Sequence, residues 1–311
     1  VTCQTAVLLS LVFVSYWALG RRRVGRLFVL LAASYVFYGW WRVVYLLLSA
    51  GSSALDFVVG RKSARIDDAV RRRRWLIVSL AGNLGLLALF KYFNFFAHAV
   101  GGALARLGAA IRPPQLGLAL PVGISFFTFQ SMSYTIDIYN GQLDPTPSML
   151  AFFVFVAFFP QLVAGPIERA SNLLSQITNK RTFKYEQVVS GLKLILWGLF
   201  KKIVIADSLA PIVDDIFANY TTYPASTLIL GVTLFSFQVY GDFSGYSDIA
   251  IGTAKLLGIE LMSNFKFPAF SRNVAEYWQR WHISLSTWFR HYVYIPLGGS
   301  RVSKLKSVRI N

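Results

Sequence analysis

Long apolar stretches alternate with short basic ones along most of the chain. A helix of about 20 apolar residues crosses a bilayer core of about 30 Å. Seven runs are predicted as spans on that basis: 4–20, 27–50, 75–97, 118–139, 149–165, 188–206 and 227–251. An eighth stretch, 274–295, mixes aromatic and polar positions and is predicted as a re-entrant or interfacial helix. Basic clusters at Arg21–Arg26 and Arg61–Arg74 flank the second run on both sides, and both belong on the cytoplasmic face. A single crossing cannot satisfy both, so this run is expected to enter and return, with its bend at Gly39. Residues 99–115, rich in Gly, Ala and Pro, are expected as an interfacial turn, and the polar stretch 170–187 as a loop.

Polar residues inside the apolar runs carry the next layer of information. Ser125, Thr128, Ser131 and Thr135 recur every three or four residues and make one polar stripe, which should face protein or water as packing surface or tunnel lining. Gly165-Pro166 is expected to break its helix beside Gln161, Glu168 and Arg169. Lys193, Lys201 and Lys202 make 188–206 a poor free-standing crossing, whereas 207–226 holds Asp207, Asp214 and Asp215 with no Lys or Arg and favours the outer side. Gly241 and Gly245 permit close helix approach. Asp242 and Asp248, two carboxylates in one apolar span, are costly unless paired or wetted. They are read either as structural partners of Arg280 or Arg272 or as site residues.

In 274–295 a continuous helix would gather Trp278, Trp281, His282, Leu285, Trp288, Phe289 and Tyr292 on one face. His291, nine residues after His282, would point nearly the opposite way. Rings around His282 disfavour the imidazolium and leave the neutral form, which can accept a proton. The competing reading is an interfacial helix anchored by its tryptophans, with the histidine carried along.

Composition agrees with a membrane chain. The 311 residues are 55% hydrophobic, with a mean hydropathy of +0.51. The net charge of +17 does not indicate a nucleic-acid partner, because the cations sit in clusters between apolar runs. The single cysteine, Cys3, excludes a disulfide framework and a cysteine-based metal site, and no metal site is expected. No P-loop, dinucleotide fingerprint, GxSxG elbow or HExxH helix is present. No internal repeat is visible, so an inverted-repeat transporter lacks its mark.

Four ordered runs go further: PVGISFFTFQSMSYTID at 121–137, FFPQLVAGPIER at 158–169, YGDFSGYSDIAIGTAKLLGIELMSNFKFP at 240–268, and WQRWHISLSTWFRHYVYIPLGG at 278–299. Together they resemble the membrane-bound O-acyltransferase family, and within it the bacterial alginate O-acetyltransferase branch. The resemblance implies an all-α, polytopic integral membrane protein, a ring of tilted and re-entrant helices around a central tunnel. It implies one membrane-embedded domain over 1–311, incomplete at its C-terminus. The expected activity is movement of an acetyl group from a cytoplasmic donor, such as acetyl-CoA or an acyl carrier, toward an extracytoplasmic polysaccharide. No bound cofactor is expected. Membrane lipids, the polysaccharide acceptor and an extracytoplasmic polysaccharide-modifying transferase are the implied partners, and a bacterial inner membrane the location. His282 matches the histidine of the family's RWH run, while His291 falls on a variable position. A second family histidine is expected beyond Asn311, so the chain as it stands is expected to be inactive. Asp242, Asp248, Arg280, Trp281, Ser284 and Gln130 are the candidates for lining a tunnel or binding substrate. D-alanyl transfer to teichoic acid is the alternative within the family, and a non-enzymatic polytopic transporter the alternative outside it.

Overall fold

The computed structural model describes residues 3–20, 22–40, 42–106, 108, 117 and 120–301, and among these it contains helices and turns but no strand. The basic tail Lys304–Arg309, positions 107 and 109–115 of the expected turn, positions 118 and 119 of the predicted span 118–139, Arg21 and the chain end at Asn311 lie outside the described residues. Helix α1 (Cys3–Ala18) is followed by α2 (Arg23–Gly39) and α3 (Val44–Ser63). The run 27–50 thus falls on two helices, α2 ending at Gly39 and α3 beginning at Val44. The basic residues Arg61 and Lys62 form the last turn of α3, where cations suit the helix dipole. α4 (Ala69–Leu87) passes through a π-helical turn (Ala88–Tyr92) into α5 (Phe93–Arg106). Residues 99–106 of the expected turn are therefore helical. Among the described residues two helices, Val44–Ser63 and Ala69–Arg106, are long and apolar enough to cross a membrane, and Gln4–Ala18 is a shorter apolar helix.

Then follow α6 (Ile124–Tyr139), α7 (Met149–Ala157) and α8 (Ala170–Thr178). α7 stops well before Gly165-Pro166. Pro160 ends it, since a proline disfavours the α conformation in the residue before it and removes a backbone donor. α8 occupies part of the expected loop 170–187. Its polar surface hides a narrow apolar stripe, Leu173, Leu174 and Ile177, which is buried. α9 (Tyr185–Leu199) continues through a π-helical segment (Phe200–Ala206) into α10 (Asp207–Ala218), and α11 (Ala225–Leu256) is the longest element of the second half.

The stretch 274–295 is not one helix. α12 (Val274–Arg280) and α13 (Ile283–Phe289) are separated at Trp281-His282, and a π-helical turn (Arg290–Tyr294) follows. His282 has φ 42°, the left-handed conformation, which is costly for a residue with a Cβ. The expectation that His282 and His291 oppose each other on a common helix falls with that break.

The core gathers α2, α3, α6, α7 and α8 around Phe127, Tyr134, Phe152, Phe155 and Phe158. The polar stripe of α6 faces inward and packs. Ser131 donates to the fully buried Asp56 of α3, and Thr135 meets Ser79 of α4 at 3.0 Å. Asn83 and Ser79 donate to the same carboxylate, at 2.8 and 2.6 Å. Asp56 therefore staples three helices through neutral donors, as buried polar groups require.

α9 and α11 approach backbone to backbone. A Cβ on Gly245 would lie 2.8 Å from the Gly198 carbonyl oxygen, and one on Gly191 would lie 2.7 Å from that of Gly252. Gly245→Val should push the helices apart. Overpacking typically costs about 1–3 kcal/mol, and a backbone neighbour cannot rotate away, so the upper end is expected. A melting temperature of the detergent-solubilised variant equal to the parent's would contradict this crossing.

Candidate active site

The loop after α11 and the α12–α13 junction clamp each other. The Lys266 N–H donates to the Arg280 carbonyl at 3.0 Å, and the Ile283 N–H to the Asn264 carbonyl at 2.9 Å. Held between these two bonds, His282 is fixed in its left-handed conformation. Asn264, buried, sits at the centre. Its amide nitrogen donates to Ser247 of α11 at 3.1 Å. Its Oδ1 receives the Ser284 backbone N–H at 3.3 Å and the Ser284 hydroxyl at 2.9 Å.

This arrangement fixes the histidine's tautomer. A backbone N–H can only donate, so the Asn264 atom facing Ser284 must be the oxygen. The same oxygen lies 3.0 Å from His282 Nδ1. Nδ1 of the neutral ring therefore carries the proton, and Nε2 carries the free lone pair. Phe243 meets the imidazole edge-on at 4.7 Å between centroids, and Phe126 and Phe265 stack at 6.3 and 6.5 Å. Rings do enclose His282, as expected, but they are phenylalanines from three other elements rather than the tryptophans of its own stretch.

The tryptophans divide. Trp278 is exposed and fits an interfacial anchor. Trp281 packs with Phe265, Tyr277 and Tyr240, whereas Trp288 is buried against Phe129 and donates to its carbonyl at 2.9 Å.

Beside Ser284 opens a cleft of about 280 Å³, lined among others by Glu168, Arg169, Met262, Thr287 and His291. Glu168 is buried and accepts from the Met262 N–H and from Asn172 Nδ2. The Arg169 guanidinium lies 5.5 Å from the Tyr292 ring, and Tyr292 donates to the buried Asp137 at 2.8 Å. His291 is exposed at the rim, its Nδ1 2.7 Å from the Thr287 carbonyl of its own helix. All four sequence runs thus meet around α13: Phe126 and Asp137, Glu168 and Arg169, Asn264 and Met262, His282 and Ser284.

Of the other tunnel candidates, only Ser284 lines this cleft. Gln130 points elsewhere, donating to the Phe155 carbonyl of α7 at 2.5 Å. Arg280 is held by Glu276 at 2.5 Å, and Arg272 by the same carboxylate at 3.1 Å. The arginine partners expected for Asp242 and Asp248 are therefore corrected: the partners are lysines. Lys201 lies 2.6 Å from Asp248, and Lys202 lies 2.5 Å from Asp242. The π-helical segment of α9–α10 aims both lysines at α11, which explains two of the three cations in that apolar run. Asn264, Glu168 and Asp56 escaped the sequence reading as functional or structural centres. Asn264 sits in a quoted run, MSNFKFP, yet nothing in spacing ties it to a histidine 18 positions away.

A model of the membrane-bound O-acyltransferase family matches residues 115–310. The protein named probable alginate O-acetylase in Pseudomonas aeruginosa is 42% identical over 302 residues, covering 96% of this chain and 57% of its own length. A peptidoglycan O-acetyltransferase of Helicobacter pylori is 36% identical, covering 89% of this chain and 56% of its own. A teichoic acid D-alanyltransferase of Bacillus subtilis is 30% identical, over 58% of this chain and 47% of its own. The chain spans a little over half the length of these first two relatives. With a family model matching most of its length and the four runs converging on one histidine-centred site, the chain belongs to the membrane-bound O-acyltransferase family.

Proposed function

We propose that this chain forms the part bearing the first family histidine of a multi-pass, bacterial inner-membrane O-acetyltransferase that modifies an exported polysaccharide of alginate type. The observation that carries the reading is the Asn264–Ser284 clamp, which leaves His282 Nε2 as a proton acceptor in a half-buried, ring-lined place. In the proposed step Nε2 takes the proton of an acceptor hydroxyl as that oxygen attacks the carbonyl of an acetyl thioester. The carbonyl oxygen becomes an oxyanion, then collapses and expels the thiolate, which takes up the proton. Arg169, the cation lining the adjacent cleft, is the group proposed to face that charge. The donor is taken to be acetyl-CoA or an acyl carrier on the cytoplasmic side, with an extracytoplasmic transferase as partner. Expression of the complete reading frame in a polysaccharide-exporting host tests this: mild alkali should release acetate from the exported polymer. Release of D-alanine in its place would favour the more distant relatives' chemistry.

Orientation is proposed from the cations. Arg26 donates to the Arg181 carbonyl at 2.9 Å, joining the basic α1–α2 turn to the basic segment 180–184. By the positive-inside rule this side faces the cytoplasm. Cysteine placed at Arg65 should resist an impermeant thiol reagent in intact cells and react after permeabilisation. Labelling in intact cells would overturn the orientation.

A further inference from the structure

We propose that the basic trough between the α1–α2 turn and the segment 177–190 is a binding site for the headgroup of an anionic phospholipid. Two adjoining clefts, of about 360 and 880 Å³, share Lys180, Arg181 and Thr182. Arg23 and Arg26 line the first, and Lys184 and Lys255 line the second. Among the described residues Lys255 has Glu260 at 3.8 Å, whereas Arg23, Arg26, Lys180, Arg181 and Lys184 form no ion pair. These five cations and Lys255 outnumber the two carboxylates of the second cleft, Glu186 and Glu260, and the positive balance attracts an anion.

Two of the five are pre-set. The Arg26 guanidinium lies 4.9 Å from the ring centroids of both Tyr16 and Trp17 and donates to the Arg181 carbonyl, while its Nε is buried without a partner. Arg181 in turn donates from Nε to the Gln176 carbonyl at 2.8 Å. Trp17 anchors the whole corner, donating to the Leu256 carbonyl at 3.0 Å and meeting Phe183 edge-on.

The wall of the trough decides between a lipid and a soluble anion. Leu27, Leu30 and Ile177 line the smaller cleft and Tyr185 the larger, and the apolar chain neighbours of lining residues are exposed: Val24 at 70%, Phe28 at 66% and Phe183 at 52%. Such a rim suits acyl chains beside a phosphate, and basic pockets between helices on the cytoplasmic side take anionic headgroups. The inference rests on the orientation proposed above, which the labelling at position 65 tests separately.

The complete reading frame, purified in dodecyl maltoside and stripped of lipid, is titrated with phosphatidylglycerol, phosphatidylcholine and glycerol 3-phosphate, with bound molecules counted by native mass spectrometry. Phosphatidylglycerol should bind about tenfold or more tighter than phosphatidylcholine. The Arg23→Gln/Lys180→Gln/Lys184→Gln variant alters only exposed side chains and should lose about a hundredfold in that affinity. Should the triple variant not elute as the parent does, Lys180→Gln alone should lose about fivefold. Equal binding of the two lipids, or an unaltered preference in a folded variant, overturns the site. Displacement of phosphatidylglycerol by an equal concentration of glycerol 3-phosphate overturns the lipid as its occupant.

Discussion

In the complete reading frame, His282→Ala should reduce O-acetylation of exported polymer by about 100- to 10,000-fold, the range for loss of a general base. The two histidines of the 278–299 run differ in surroundings rather than in helix face. His282 is packed among three phenylalanines and tied to Asn264, whereas His291 is exposed, its Nδ1 against the Thr287 carbonyl four residues earlier. His291→Ala should therefore cost less than about tenfold, although the residue lines the cleft. Asn264 provides the sharper test, because it is a positioning residue. Asn264→Asp keeps an acceptor for Nδ1–H and for the Ser284 donors, so a good part of the rate should survive if the protein folds. Asn264→Leu removes the acceptor, frees the ring to adopt the other tautomer and should approach the His282→Ala loss at equal membrane protein. Acetate released from purified polymer is the readout. Full activity of His282→Ala would end the general-base reading, and parity of Asn264→Leu with the parent would end the tautomer argument.

How much of this was legible in the sequence depends on the element. The apolar periodicity located most helices, because burial or lipid exposure along a whole run leaves a long signal. It failed where a single residue redirects the chain. Pro160 ends α7 ahead of Gly165-Pro166, and the α12–α13 break at His282 has neither Gly nor Pro to announce it. That break is imposed from outside, by the paired backbone bonds to residues 264 and 266, and tertiary contacts of this kind leave no local mark. The site was legible only as four runs of unusual composition. Their convergence around α13, and the role of Asn264, are products of the fold. The polar stripe of α6 was read as facing protein or water, and its packing role emerged only with Asp56, which lies outside every predicted run.

Asp248→Asn should be the most damaging single change away from the histidine site. Lys201 is buried, contacts Asp248 at 2.6 Å and Ser244 at 3.0 Å, and has no other carboxylate within reach among the described residues. Removing one member of a buried pair typically costs about 3–5 kcal/mol, because the remaining charge is stranded. Asp242→Asn should do less. Its side chain is half exposed, and Lys202 retains Asp207 at 2.8 Å. The pair's role is separable from its necessity for folding. In Lys201→Met/Asp248→Leu both charges go and the volumes stay close, a replacement that buried pairs often tolerate. The double variant should regain most of the folded yield lost in Asp248→Asn, measured by fluorescence-detected size exclusion of detergent extracts. If it regains yield and also acetylates polymer, the pair only joins α9 to α11. A well-folded double variant without activity would instead give Asp248 the site role that its place in an apolar span first raised, and normal yield of Asp248→Asn itself would refute the pairing as a structural need.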